Sequence, residues 1–165
     1  MKSNTRKVAQ AVILVAIGVA LAPFTSFPIG VAKVNPTQHL VNVLGAVLLG
    51  PWWATAIAAI IGAIRNTLGV GTLLAFPGGM IGALLAGLLY RGTRNVYAAA
   101  AGEIVGTGVL AALVSGWLVA PFLMGTTMPI VVLLASFLGS TILGTVLGVL
   151  ALKLLERVGY VRLGE

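Results

Sequence analysis

Long apolar segments follow one another along almost the whole chain, and charged residues rarely interrupt them. Of the 165 residues, 59% are hydrophobic and 8% are charged, whereas soluble domains contain about 25% charged residues. So few charges cannot cover that much apolar surface in water. Because a helix needs about 20 residues to cross a bilayer, the length allows about six crossings. The sequence therefore predicts an all-α integral membrane protein, with residues 1–165 forming a single transmembrane domain of six helices.

Proline, glycine and charged residues divide the chain into these helices. The basic N-terminus followed by an apolar run imitates a signal peptide, but Pro23 follows the small residues and disfavours cleavage there. We therefore predict a retained first helix. Asn35 and Pro36 are typical of a helix start. The second and third helices are short, so they either cross a thinned region or form a re-entrant hairpin. The predicted ranges are about 8–22, 36–50, 52–65, 77–90, 96–119 and 129–155.

The positions of lysine and arginine predict the orientation of the bundle. With six crossings and a cytoplasmic N-terminus, eight of the ten basic residues lie on the inner side. Both termini are then cytoplasmic, and most of the +7 net charge anchors the protein to anionic lipid. This distribution argues against nucleic-acid binding. Only Lys33 and Arg65 remain on the outer side, and they need another explanation.

The residue types exclude several kinds of chemistry. The chain has no cysteine and no aspartate, and its three acids are Glu103, Glu156 and Glu165. Thiolate sites and converging carboxylates for metal-assisted hydrolysis are therefore not available. The sequence also contains no phosphate-binding loop. We expect no enzyme, no metal and no cofactor, and ATP-dependent work would need another subunit.

Four polar residues lie on one face of the second predicted helix. Asn35, Gln38, His39 and Asn42 have the spacing i, i+3, i+4 and i+7, and Lys33 precedes them. Capping and hydrogen bonds between helices would explain some of them. A ligand-facing role is favoured, because four polar groups exceed the needs of one helix cap.

The third helix ends in a glycine-rich segment with several donors. It contains Arg65, Asn66 and Thr72. One interpretation is an ordinary glycine-terminated helix end with a snorkelling arginine. The other is a loop that closes over a small ligand, with Arg65 reaching an anion or a carboxylate. The sequence favours neither.

Glu103 is the only acid within a predicted span, and Thr107 lies one turn later on the same face. A carboxylate in this position needs a partner. The candidates are Arg65, His39, a ligand or a coupling proton. A structural pairing and a ligand-binding role are equally compatible with the sequence.

Small residues recur at four-residue steps and predict close helix contacts. In the fourth, fifth and sixth helices they predict internal packing. In the first helix, Ala16 and Ala20 form one such pair, and Gly18 and Ala22 form another. We interpret the first helix as the best candidate for docking to a partner protein.

Six segments together resemble a known family. They are Lys33–Asn42 (KVNPTQHLVN), Leu49–Trp52 (LGPW), Arg65–Asn66, Gly69–Ala83 (GVGTLLAFPGGMIGA) and Gly102–Glu103 with Gly106–Gly108. The chain is similar to the ThiW family, the substrate-binding (S) components of energy-coupling-factor (ECF) vitamin importers. It differs at Gly79, where the family pattern leads us to expect serine.

The resemblance implies a six-helix protein of the prokaryotic plasma membrane that binds the thiazole precursor of thiamine from outside. The implied partners are a transmembrane coupling protein of the EcfT kind and two ATPase subunits. By match to the family, Ala16 and Ala20 take the docking role. The implied ligand is hydroxyethylthiazole, and we expect the unphosphorylated compound because only Lys33 and Arg65 are cationic near the site.

The polar residues described above could hold such a ligand, and Phe76 or Trp53 could stack on its ring. The alternative function is a small proton-coupled secondary transporter that uses Glu103, although the halves show no convincing repeat. A membrane enzyme or an assembly subunit without a ligand fits the sequence less well, because the first lacks paired acids and the second leaves the polar face unexplained.

Overall fold

The computed structural model describes residues 2–29 and 32–164. Glu165, one of the three acids, lies outside the described residues. Within these described residues, six helices make up most of the chain, and two short strands lie between the first helix and the second. The helices are α1 (Lys2–Thr25), α2 (Pro36–Leu48), α3 (Pro51–Thr67), α4 (Ala75–Thr93), α5 (Val96–Leu123) and α6 (Ile130–Arg157).

In the part of the chain that the structure describes, three helices are long and apolar enough to cross a membrane. They are α5, α6 and the Asn4–Thr25 part of α1. The exposed side of α6 carries large aliphatic residues along its length, as a lipid-facing surface requires. These residues are Leu143, Val146, Leu147, Leu150 and Leu154. The other three helices are shorter, and the sequence analysis had predicted short helices for α2 and α3.

Capping, proline and glycine residues determine where α2 begins and where the chain turns into α3. The Asn35 side chain accepts from the backbone N–H of Gln38 at 2.8 Å, and Pro36 occupies the first turn of α2, where no N–H is needed. Gly50 has a φ of +93°, which favours glycine, and this residue turns the chain into α3. α2 and α3 are therefore two separate short helices joined by a tight turn.

A short β-hairpin lies between α1 and α2, and the all-α prediction did not include it. Strand β1 (Phe27–Ile29) pairs antiparallel with β2 (Ala32–Val34), so that Phe27 is opposite Val34 and Pro28 is opposite Lys33. Ala32 and Val34 are buried, whereas Lys33 lies on the exposed face. The hairpin thus places a cation beside the end of the bundle where α2 begins.

Glycine allows the helices of the bundle to approach closely. A Cβ at Gly144 in α6 would lie 2.0 Å from the Pro36 carbonyl oxygen, and one at Gly87 in α4 would lie 2.4 Å from the Pro51 Cα. A Cβ at Gly106 in α5 would lie 2.8 Å from the Gly82 Cα. These contacts confirm the predicted internal packing of the small residues in α4, α5 and α6.

The small residues of α1 fall on two different faces. Gly18 and Ala22 are buried, and a Cβ at Gly18 would lie 2.5 Å from the Ile61 Cδ1 of α3. Ala16 and Ala20 are exposed on the other side of the helix. One pair therefore packs α1 onto the bundle, and the other leaves a shallow strip on the outer surface.

Candidate ligand-binding cavity

A cavity opens where the hairpin meets α2, α3, α4, α5 and α6. Its volume is about 380 Å³, including the open mouth. Six of the predicted site residues lie in its wall, and the rest of the wall is apolar or small. The predicted residues are Lys33, Asn35, Gln38, His39, Arg65 and Thr107; the others are Ala32, Val34, Leu74, Ala75, Gly78, Gly79, Phe137 and Ser140.

The polar face of α2 is fixed by hydrogen bonds along its length. Asn35 Nδ2 donates to Thr25 Oγ1 at 3.1 Å and to Ser26 Oγ at 2.7 Å. Gln38 Nε2 donates to Asn42 Oδ1 at 3.1 Å. Gln38 Oε1 is buried, and no hydrogen-bond partner is present for it among the described residues. The network therefore orients the Gln38 side chain and leaves its Oε1 atom as a hydrogen-bond acceptor for a ligand.

Glu103 lies directly behind this face and is 0% exposed. Its Oε1 accepts from Asn42 Nδ2 at 2.9 Å and lies 2.9 Å from His39 Nδ1. The Thr107 hydroxyl lies 3.1 Å from the same oxygen and 2.7 Å from the Gly78 carbonyl oxygen, so it can donate to either. Of the candidate partners, the structure thus selects His39. Glu103 supports the residues of the wall without lining the cavity itself.

Arg65 enters the cavity from the end of α3. Only 2% of it is exposed. Its Nη2 donates to Ser26 Oγ at 3.3 Å and to the Val70 carbonyl oxygen at 3.5 Å, both long contacts. Lys33 Nζ donates to the Gly69 carbonyl oxygen nearby. The glycine-rich segment therefore contacts both cations through its backbone carbonyl groups.

Five of the predicted site residues lie outside the cavity wall, namely Asn42, Asn66, Thr72, Phe76 and Glu103. Asn66 Nδ2 donates to the Gly62 and Thr72 carbonyl oxygens, which fixes the loop after α3. The Phe76 ring packs against α3, 3.6 Å from the Cβ position of Gly62. Trp53 packs against the core between the helices. Neither aromatic residue that we expected to stack on a ligand lines the cavity.

Phe137 and Leu74 form the apolar wall instead, and the sequence analysis did not identify them. Phe137 precedes Ser140 by three residues, so both lie on one face of α6. The three-residue spacing from Ser140 could have placed Phe137 on the polar face of α6. Phe137 was missed because most of the residues around it in that helix are also apolar. At Gly79, a Cβ would lie 3.5 Å from Gln38 Nε2. A serine there would contact Gln38, whereas glycine leaves that space to the cavity.

This arrangement combines apolar walls with a few oriented polar groups, as sites for small organic molecules do. The described residues contain no group of three side chains that could hold a metal ion. The fold and the cavity are typical of a membrane protein that holds a small molecule between its helices.

Comparisons with known proteins identify the family. The family profile described as thiamine-precursor transporter protein (ThiW) matches residues 8–158. The chain therefore belongs to the ThiW family, as the sequence resemblance predicted, and it is a transporter rather than an enzyme.

The fold is similar to a solved structure, the S component of a bacterial ECF transporter. The two share 17% sequence identity with a TM-score of 0.69, and the match covers 94% of this chain and 96% of that chain. The predicted six-helix bundle of the S-component type is thus confirmed at the level of the fold. A search of the curated proteins gives no match.

Proposed function

We propose that this protein is the substrate-capture subunit of an ATP-driven ECF-type importer for the thiazole precursor of thiamine. It binds hydroxyethylthiazole from outside and delivers it through a transmembrane coupling protein of the EcfT kind and two ATPase subunits. The observation that carries the proposal is the cavity, whose wall combines the polar face of α2 with the apolar Phe137 and Leu74. The ThiW family assignment supports the same substrate class.

The chemistry of the wall suits a small, weakly polar aromatic molecule. Phe137 and Leu74 offer a surface to the ring, and burying that ring away from water stabilises the complex. The unpartnered Gln38 Oε1 can accept from the hydroxyl of the ligand. His39, held by Glu103, supplies a second polar contact whose position is fixed.

For the topology, we propose six crossings of a prokaryotic plasma membrane with both termini in the cytoplasm. The excess of basic residues on one side supports this orientation. The cavity then opens to the outside, because Lys33 and Arg65, which both line it, are the basic residues assigned to that side.

Binding of hydroxyethylthiazole to the purified protein tests the substrate. We expect saturable binding by calorimetry, and we expect His39→Ala to weaken it about tenfold, since an oriented polar contact is lost. Gln10→Ala removes a polar side chain that bonds to Tyr160, away from the cavity, and serves as the control. No binding would refute the substrate. An unchanged affinity in His39→Ala would remove His39 from the site.

The exposed strip of α1 offers a separate test of partner docking. We expect the double variant Ala16→Leu with Ala20→Leu to abolish co-purification with the coupling protein, because added bulk prevents close helix contact. Thiazole binding should stay unchanged. Ala101→Leu with Ala135→Leu adds the same bulk to exposed positions on α5 and α6 and is the matched control. If association survives in the α1 variant, this strip is not the docking face.

The alternative is a proton-coupled transporter that uses Glu103. Uptake measured with and without the coupling protein and ATP distinguishes the two. Uptake that needs both supports the importer, whereas uptake by this chain alone, driven by a proton gradient, supports the alternative.

A further inference from the structure

Arg65 is a buried positive charge without an acid beside it among the described residues. The described acids are Glu103 and Glu156. Glu103 contacts His39, Asn42 and Thr107. Glu156 accepts from the backbone of Leu163 near the end of the chain. In the described part of the chain, neither carboxylate forms a salt bridge with Arg65, so no described acid compensates this charge.

The hydrogen bonds of Arg65 are also incomplete. A guanidinium group has five N–H donors. The described partners are both on Nη2, at 3.3 and 3.5 Å, and Nε is buried with no partner among the described residues. An uncompensated buried charge with unused donors is strongly unfavourable. Because Arg65 lines the cavity, an occupant of the cavity can supply the missing negative charge.

The charge distribution of the cavity wall also favours a negatively charged occupant. Lys33 and Arg65 both line the cavity, and none of its lining residues is an acid. Lys33 bonds to Gly69, and Arg65 bonds to the neighbouring Val70, so the two cations lie at the same end. Glu103 lies behind His39 and Thr107, in another part of the wall. The two cations therefore lie beside the glycine-rich segment, and the carboxylate lies behind other residues of the wall.

We propose that Arg65, with Lys33 beside it, forms an anion subsite, and that the thiazole bound most tightly carries one carboxylate or phosphate group there. This inference rests on the proposed thiazole function and deepens it. It departs from the expectation of an unphosphorylated ligand, and it makes hydroxyethylthiazole, the ligand named in the proposed function, the more weakly bound compound. A planar guanidinium can form two parallel hydrogen bonds to one carboxylate or phosphate group, so two cations suffice. A neutral ligand would leave the Arg65 charge uncompensated.

Three ligands test the charge preference: hydroxyethylthiazole, its phosphate ester, and the thiazole acetic acid in which the arm ends in a carboxylate. We expect at least one anionic ligand to bind about tenfold or more tightly than hydroxyethylthiazole, the scale of one charge-assisted contact. Arg65→Gln should remove that advantage. Arg91→Gln removes the charge of an exposed arginine at the end of α4 that is far from the cavity, and this variant should keep the preference for the anionic ligand. Equal or weaker binding of both anions, or an advantage that survives in Arg65→Gln, would overturn the proposal.

Inorganic phosphate and acetate test the subsite without any thiazole. We expect them to raise the Tm of the protein and of Arg91→Gln in a saturable manner, with no such rise in Arg65→Gln. They should also compete with the anionic thiazole. If phosphate instead strengthens the binding of neutral hydroxyethylthiazole, the anion comes from solution, and the proposal of an anionic ligand is wrong. No response of the protein to any anion would overturn the subsite itself.

The failure of the thiazole function can be recognised separately. In that case none of the three thiazoles binds, yet the phosphate-dependent rise in Tm and its loss in Arg65→Gln still decide whether the subsite exists. If Arg65→Gln does not fold, Arg65→Lys preserves the charge but not the planar fork. We expect it to keep only part of the anion advantage. A full advantage in Arg65→Lys would show that the guanidinium geometry plays no role.

Discussion

Replacing Gly144 by alanine is expected to abolish thiazole binding and to lower the Tm by about 5–10 °C, because a methyl group there meets the backbone of a neighbouring helix. Its Cβ would lie 2.0 Å from the Pro36 carbonyl oxygen and 2.7 Å from the His39 Cβ. Backbone atoms cannot rotate away as a flexible side chain can. α2 must therefore move away from α6, and His39 must move with it.

Gly139→Ala provides the matched control on the same helix. A Cβ at Gly139 has no heavy atom within 4 Å among the described residues. Alanine there favours the helix, so the Tm should stay the same or rise slightly. Thermal unfolding in detergent together with thiazole titration checks both variants. If Gly144→Ala and Gly139→Ala behave alike, the close contact of α2 and α6 does not hold the cavity together.

Replacing Glu103 by alanine is the second change with a large expected effect. It removes the acceptor shared by His39, Asn42 and Thr107 while these groups stay buried. Each buried polar group left without a partner costs about 1–3 kcal/mol, and three such groups share this acceptor. We therefore expect a fall in Tm of about 10 °C, and thiazole binding should be lost because the orientation of His39 and Gln38 is no longer fixed.

Glu103→Gln keeps one acceptor oxygen and changes the other. Its amide oxygen can still accept at the position of Oε1, while its NH₂ group would replace Oε2, which has no partner among the described atoms. An unsatisfied buried donor costs about 1–3 kcal/mol, so this variant should lie between the wild type and Glu103→Ala. The same unfolding and titration measurements give the order. Wild-type stability and affinity in Glu103→Ala would show that the network is not needed.

Hydrophobic patterning predicted much of the fold, because each helix of this chain is an apolar run bounded by proline, glycine or charge. Asn35 and Pro36 predicted the start of α2 correctly, since capping depends on residues that are adjacent in sequence. The hairpin was missed because each strand has only three residues and Pro28 interrupts the first. α1 begins at Lys2 rather than near residue 8, since polar residues can extend a helix beyond the apolar run.

The site was predictable where polar residues share one helix face, and not where it depends on how the helices rotate against one another. The spacing from Asn35 to Asn42 identified the polar face of α2. Which aromatic ring lines the cavity depends on the rotation of α4 and α6, and the sequence contains no polar signal for it. The structure therefore places Phe137 in the wall and turns Phe76 towards α3.

Two hydroxyl groups at the end of α1 join this helix to the cavity. Thr25 Oγ1 accepts from Asn35, and Ser26 Oγ accepts from both Asn35 and Arg65. The exposed strip with Ala16 lies on the same helix. A partner that displaces the end of α1 changes the free energy of these hydrogen bonds. By reciprocal thermodynamic linkage, a ligand that rearranges Asn35 or Arg65 then changes the affinity for that partner by the same factor.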